Sequence, residues 1–305
     1  MFSSLTQPNY PSVALGISAD RLTAVELQGE GRGGYGIKQA ATFDLPAGIC
    51  VPSFAESNID NIAEFAGYVR EVATSAGLLG QKRWSVSLPG AVARTTILTL
   101  EAQPTSKAET EEVLNWKAEQ SFGTATMEMR LSTRQIHPGS DGRTRFLATA
   151  IKLAVLDEYE TAFESLGWHV GMLLPRVVGE SNWLLRTSSK ADSVLISTQS
   201  DGLTAFVFRN GEPVVVRNVT CSTSEVDDEV YRLLMFYNDR YPDSRLEEML
   251  VVGGILSSER IDAVANEALG YTVQQLRSED VGLFLPGSTF SFADLAAPAG
   301  LAALG

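Results

Sequence analysis

Residues 193–219 read SVLISTQSDGLTAFVFRNGEPVVVRNV. Ser193–Thr198 and Leu203–Arg209 are β-rich runs on either side of the turn Gln199–Gly202, and Asn210-Gly211 is a strong two-residue hairpin signal before Pro213–Val219. Three strands in antiparallel succession are therefore expected. The same order stands at the start of the chain. Val13–Ile17 and Arg21–Leu27 flank Ser18-Ala19-Asp20, and Ile37–Phe43 follows the glycine-rich stretch GEGRGGYG at 29–36. No helical pattern follows those glycines, so they read as a hairpin tip and not as a phosphate cradle. Each triplet leads into a helix and then a strand. In the first half these are Asn58–Leu79, with Ser57 or Asn58 as N-cap, and Trp84–Leu88. In the second half they are Val226–Tyr241 and Met249–Val252, the latter ended by Gly253-Gly254. The duplication is one of architecture, since the residues themselves do not repeat.

Between the two halves the spacing predicts a strand at Arg94–Leu100, a helix at Ser106–Phe122, strands at Met127–Ile136 and Arg143–Ile151, a helix at Ala154–Leu166, a strand at His169–Leu174 and a helix at Val177–Arg186. The polar run Thr187-Ser188-Ser189-Lys190 reads as a domain boundary. Late in the chain, Ser257–Leu269 reads as a helix and Tyr271–Leu276 as a strand.

Composition narrows the classes of function. Among 305 residues there are 24 Lys and Arg against 37 Asp and Glu, a net charge of −13, which argues against a nucleic-acid binder. No run approaches the ~18 apolar residues of a membrane-spanning helix, and residues 1–16 lack the basic start and apolar core of a signal peptide. A cytosolic chain is expected. Two cysteines, Cys50 and Cys221, and two histidines, His137 and His169, build neither a disulfide framework nor a zinc site. The acidic run Glu225, Asp227, Asp228 and Glu229 reads as the favourable start of a helix and not as a metal cluster. Ser188-Ser189-Lys190 lacks a second member of a Ser/Lys dyad. Trp168 and Trp183 read as core.

The ordered motifs resemble one family. Leu15–Leu27, ending in Thr23-Ala24-Val25-Glu26-Leu27, is similar to the opening hairpin of the PilM family of type IV pilus assembly proteins. Ser85–Gly90 (SVSLPG) followed by Arg94–Leu100 resembles that family's approach to its inserted subdomain. Glu111–Phe122 (EEVLNWKAEQSF) resembles its helix with a Trp-x-Ala-Glu-Gln core. Glu229–Tyr237 with Val251-Val252-Gly253-Gly254 resembles its helix and adenosine-side turn, and Asp294–Leu304 its closing alanine-rich helix.

The resemblance implies an α/β, bilobal actin-like fold, a duplicated ribonuclease H-like unit, with the inserted subdomain shared by FtsA and PilM at about residues 91–166. The first lobe would span 12–190, the second 191–288, and a helix in 289–305 would pack back on the first. The implied role is that of a cytoplasmic adaptor at the inner membrane, gripping the N-terminal tail of a PilN-like membrane protein within the pilus platform. A related adaptor of type II secretion, or an ATPase or sugar-kinase relative, is the alternative. The positions facing a nucleotide would be Ser18, Asp20 and Arg21 in the first turn, Ser197 and Gly202 in the second, and Gly253 and Gly254 on the adenosine side. The family's acids fall on Gly16 and Ser197, its turn glycines on Ser18 and Gln199, its basic position on Thr23 and its Gly-Gly pair on Val219-Thr220. Mg²⁺ would lack hard oxygen ligands and the phosphoryl group its electrostatic support. A degraded nucleotide site without hydrolysis, and no cofactor in place of Mg²⁺ and ATP, is the expectation. The partner's tail is expected in a groove between first lobe and insertion, lined by Ile97, Leu98, Leu114 and Trp116. The acidic balance favours a tail carrying Lys or Arg.

Overall fold

The computed structural model describes residues 10–101, 104–139, 142–187, 191–200, 202–287 and 290–305. The linker expected at 188–190, the turn tips at 140–141 and 201, and residues 1–9 lie outside them.

The first lobe is a sheet of β1 (Val13–Ile17), β2 (Arg21–Gly29), β3 (Tyr35–Asp44), β4 (Arg83–Leu88), β8 (His169–Pro175) and the two-residue β14 (Leu283–Phe284). The spatial order is β14-β3-β2-β1-β4-β8. β1, β2 and β3 are antiparallel, while β4 runs parallel to β1 and β8 parallel to β4. β1 is buried along its whole length, as a central strand covered on both faces must be. One face carries α1 (Ile62–Ser75) and α3 (Leu153–Ser165), packed through Phe65, Val69, Tyr159 and Phe163.

The second lobe repeats the plan with β9 (Asp192–Gln199), β10 (Gly202–Arg209), β11 (Glu212–Thr220), β12 (Leu246–Val252) and β13 (Gln274–Gln275), ordered β11-β10-β9-β12-β13. Asn210 (φ 52°) and Gly211 (φ 76°) make the left-handed hairpin turn between β10 and β11. The outer face carries α5 (Val226–Arg240) and α6 (Ser258–Leu269). The inner faces of both sheets share one core with α4 (Arg176–Arg186) and α7 (Phe292–Ala302), which lie between the lobes. Their crossing is tight: a Cβ on Gly179 would stand 2.1 Å from the Ala297 carbonyl oxygen, and one on Gly300 1.9 Å from the Gly179 oxygen. Trp183 Nε1 donates to the Ala296 carbonyl at 2.7 Å within this contact. Full burial of Leu295 and Leu301 is worth about 1.5–3 kcal/mol each.

The insertion is a three-stranded sheet of β5 (Arg94–Thr99), β6 (Met129–Ile136) and β7 (Arg145–Lys152), ordered β5-β7-β6, under α2 (Lys107–Phe122). Ser106 caps α2 by accepting from the Glu109 N–H, and Gly123 ends it in the left-handed conformation. The stripe of α2 that meets the sheet is Leu114, Ala118 and Phe122.

Four local expectations differ from what is observed. α3 packs on α1 and belongs to the first-lobe core, so the inserted elements end at β7. α1 is capped by Asn61, which accepts from the Glu64 N–H. The Asn58 side chain is committed to the preceding loop through Ser53 and Glu56. Tyr271–Leu276 contributes only β13, and β14 pairs with β3 of the first lobe and not within the second half.

Candidate functional site

The turns β1–β2 and β9–β10, the Gly253-Gly254 turn and the N-terminal ends of α4 and α7 enclose a cleft of about 380 Å³. Of the residues singled out in the sequence, Ser18, Asp20, Arg21, Gly253 and Gly254 line it. Ser197 is fully buried in β9, and its hydroxyl has no hydrogen-bond partner. Gly202 sits in the β9–β10 ladder opposite Gln199 and lines a different cavity.

The first turn is occupied with its own contacts. Ser18 Oγ donates to Asp20 Oδ1 (2.9 Å) and to the Arg21 carbonyl (3.0 Å). Arg21 reaches away from the turn in two directions, to Asp294 Oδ1 in the first turn of α7 (2.7 Å) and to Asp44 Oδ1 (2.8 Å). Hydrogen bonding to Asp294, opposed by partial burial and aided by Asp44, raises the Arg21 pKa above its ordinary value. Asp294 is held by Ser291 Oγ at 2.7 Å. Gly16, at the position of the family's acid, faces Pro298 of α7: a Cβ there would meet the proline ring at 2.9 Å. The space a carboxylate would need is filled by the chain's own helix.

On the far side, Gly253 has φ 123°, and a Cβ would stand 2.1 Å from Thr198 Oγ1 and 2.5 Å from the Thr198 oxygen. Only glycine satisfies both demands, so close packing of β12's end on β9 accounts for Gly253, whereas Gly254 has open space around it. The cleft floor holds a second arginine. Arg176, nine-tenths buried at the start of α4, donates from Nε to Glu180 Oε1 at 2.7 Å, and Glu180 Oε2 is buried without a partner. Both cations of the cleft are thus already matched by carboxylates, leaving little field for a polyphosphate. Among the described residues, no three His, Cys, Asp or Glu side chains gather as a metal site.

Sequence reasoning missed Arg176, Asp294 and Pro298. Arg176 directly follows the strand-ending Pro175, and Ser291-x-x-Asp294 is a helix-capping pattern. Both signals were present, but neither announces the partner across the cleft.

The four residues expected along one groove are not brought together. Leu98 and Leu114 are 4% and 5% exposed and form the insertion's own core beneath α2. Ile97 lies on the opposite face of the insertion sheet, towards the second lobe. Trp116 is 59% exposed on α2, off the Leu114–Phe122 stripe. An open space nearby does exist. The loop 52–55, the start of the insertion at 90–96 and Phe122 border a cavity of about 570 Å³ that also touches β10 and β11. Phe54 and Phe122 are buried there, with the Arg94 guanidinium 4.5 Å from the Phe54 ring centre and donating to the Phe122 carbonyl.

The acidic run on α5 separates into different pairings. Glu225 accepts from Ser222, Asp227 pairs with Arg260 at 2.7 Å, and Glu229 binds Arg217 and Arg232. Hydrogen bonding to Arg217 holds the Glu229 carboxyl below its usual pKa against the effect of burial. Cys50 is buried against Tyr159, and burial pushes its thiol up to about 11. Neither cysteine is in a disulfide. No helix among the described residues is long and apolar enough to cross a membrane.

No family model matches the sequence, and no curated protein matches it. Solved structures do. The PilM-PilN type IV pilus biogenesis complex matches with TM-score 0.72 and 16% identity over 97% of this chain and 97% of that one. The cytoplasmic domain of EpsL, an inner-membrane component of the type II secretion system of Vibrio cholerae, matches at TM-score 0.47 and 10% identity, covering 85% and 95%. The ethanolamine utilization protein EutJ from Carboxydothermus hydrogenoformans matches at 0.49 and 11%, covering 98% and 91%. Over 97% of its length the chain shares its fold with the structure of the PilM-PilN complex, and that fold is bilobal and actin-like with a subdomain inserted in the first lobe.

Proposed function

We propose that this chain is an adaptor of a type IV pilus inner-membrane platform, holding the N-terminal tail of a PilN-like membrane protein. The observation that carries the reading is the full-length similarity, at TM-score 0.72, to a structure of PilM in complex with PilN. The chain would then reach the membrane through its partner. The tail's seat is the cavity bordered by residues 52–55, 90–96 and Phe122, which is recessed, partly apolar and of the volume usual for ligand sites.

The cleft between the lobes has a structural role in this reading and does not turn over ATP. Three features support that. Pro298 fills the space of the first acid, Arg21 is committed to Asp44 and Asp294, and Ser197 replaces the second acid at a fully buried position.

Calorimetric titration with the N-terminal peptide of a PilN-like protein tests the seat. Ala55→Trp, at an exposed residue of the cavity's rim, is expected to abolish binding, and Trp116→Ala to leave it unchanged. The reverse pattern moves the tail to the outer face of α2. An absence of binding to the unaltered chain removes the PilN-like partner. Phosphate release from Mg·ATP above a protein-free control, lost in Gly253→Val, refutes the structural role of the cleft.

A further inference from the structure

A cavity of about 700 Å³ lies where the insertion meets the second lobe and belongs to neither the nucleotide cleft nor the tail's seat. β5 and β11 are both terminal strands of their sheets and lie alongside each other. They are pinned by Asn218 Nδ2, which donates to the Thr95 carbonyl at 2.8 Å, and the end of β6 is tied to β11 by the His137 N–H, which donates to Glu212 Oε2 at 2.6 Å. The cavity opens beside these pins, with Ile97 and Thr99 on one wall and Val214 on the other.

Its charge runs against the rest of the molecule. In a chain of net charge −13, the described lining holds Arg145, Arg209 and Arg240 against the carboxylate of Glu212. Arg209 is partly matched by Asp192 at 2.8 Å and lies 4.5 Å from the Tyr241 ring centre. Arg145 spends two N–H groups on the His137 carbonyl. Arg240 is exposed and makes no hydrogen bond or ion pair with any described residue. Arg134 stands close enough to Glu212 to help keep that carboxyl ionised, together with His137 and against partial burial.

The geometry points to a docking site for an extended acidic peptide of a partner protein, distinct from the tail's seat and opposite to it in charge preference. The arginines come from three separate elements, β7, β10 and α5, and do not converge on one point with backbone N–H groups as a small-anion cradle does. Apolar Ile97, Val214 and the Tyr241 ring share the lining with them, which suits a segment carrying both carboxylates and apolar side chains. Two sheet edges stand beside it to meet the segment's main chain. The basic groups line a recess between two lobes, which a bilayer surface does not enter. This inference is independent of the PilN-like assignment.

Fluorescence anisotropy on the full chain tests it, with a labelled peptide of alternating Glu and Val as probe and its Lys–Val counterpart as control. The Glu–Val peptide is expected to bind saturably and to weaken with added salt. Arg240→Glu is expected to weaken it about tenfold, while the matched reversal Arg70→Glu on α1 leaves it unchanged. Circular dichroism confirms that both variants fold. Any of four results overturns the proposal: no saturable binding, equal binding of the Lys–Val peptide, equal loss in both variants, or displacement by inorganic phosphate or phosphatidylglycerol vesicles at concentrations where the peptide itself binds.

Discussion

The β1–β2 and β9–β10 hairpins occupy equivalent places in the two lobes, and both have turned their polar groups inward on the protein, by different routes. The first is closed by the C-terminal helix: Asp294 takes Arg21, and Pro298 takes the space beside Gly16. The second is tied to the first half of the chain through Gln199, whose Oε1 accepts from the Gly90 N–H at 3.3 Å. Side-chain contacts join the halves at these turns, together with the Asn218–Thr95 and His137–Glu212 pins at the insertion. The first hairpin is packed against the Pro298 ring and the second holds the buried Ser197 hydroxyl, so the two should respond unequally to substitution.

Restoring the family's acid in the first hairpin is the most damaging change expected. Gly16→Asp drives a carboxylate into the Pro298 ring in a buried strand, combining overpacking with an unpaired charge, and should cost about 3 kcal/mol or more. Urea unfolding measures it, and recovery of part of the loss in the double variant with Pro298→Ala identifies the proline as the obstacle. Little loss in Gly16→Asp would show that the helix yields easily and that the first turn is not closed by volume.

A smaller effect is expected at the ion pair. Arg21 and Asp294 have side chains 39% and 21% exposed, so solvent screens them, and Arg21 keeps Asp44 when Asp294 is removed. Asp294→Ala should cost about 0.5–1 kcal/mol, read in the same experiment. A loss several times larger would make the electrostatic contact, and not Pro298, the main closure of the first hairpin.

The smallest effect belongs to the second hairpin. The Ser197 hydroxyl is buried without a partner, so Ser197→Ala removes a desolvated polar group and no hydrogen bond. Stability should change by no more than about 0.5 kcal/mol, towards greater stability. A clear loss would reveal that the hydroxyl holds a buried water or another group, and that this turn keeps a polar function the first has lost.

The strand-rich openings of both lobes were legible because period-two alternation and Asn210-Gly211 are local signals. The helix ends at Ser106 and Gly123 were legible for the same reason. What could not be read depended on distant partners. On α2 the apolar residues do not separate cleanly from the polar ones, so Leu114 and Trp116 looked alike, and only the sheet beneath decides that Leu114 is core and Trp116 is exposed. Ser57 or Asn58 was the expected cap of α1, but the loop at Ser53 claims the Asn58 side chain and Asn61 caps the helix. Two-residue strands such as β14 are too short for any periodicity. Pro298 and Asp294 act on residues more than two hundred positions earlier. The basic cavity escaped notice because its arginines are scattered through an acidic chain.

The seat of α7 also bears on how the protein is made. One face of the first-lobe sheet, including Ala14, Val25 and Leu27, is covered partly by residues 295–302, and Arg21 meets its partner 273 positions downstream. During synthesis the part of that face under α7 stays bare until nearly the whole chain described here has left the ribosome, because α4, the earlier helix of the same core, covers only part of it. Contacts of such long sequence separation form late and slowly, and exposed strands in the interval invite misassembly. Truncation before residue 292 should therefore yield a nascent first lobe that depends on chaperones, whereas the insertion, whose core closes within residues 54–150, should gain its protection much earlier in translation.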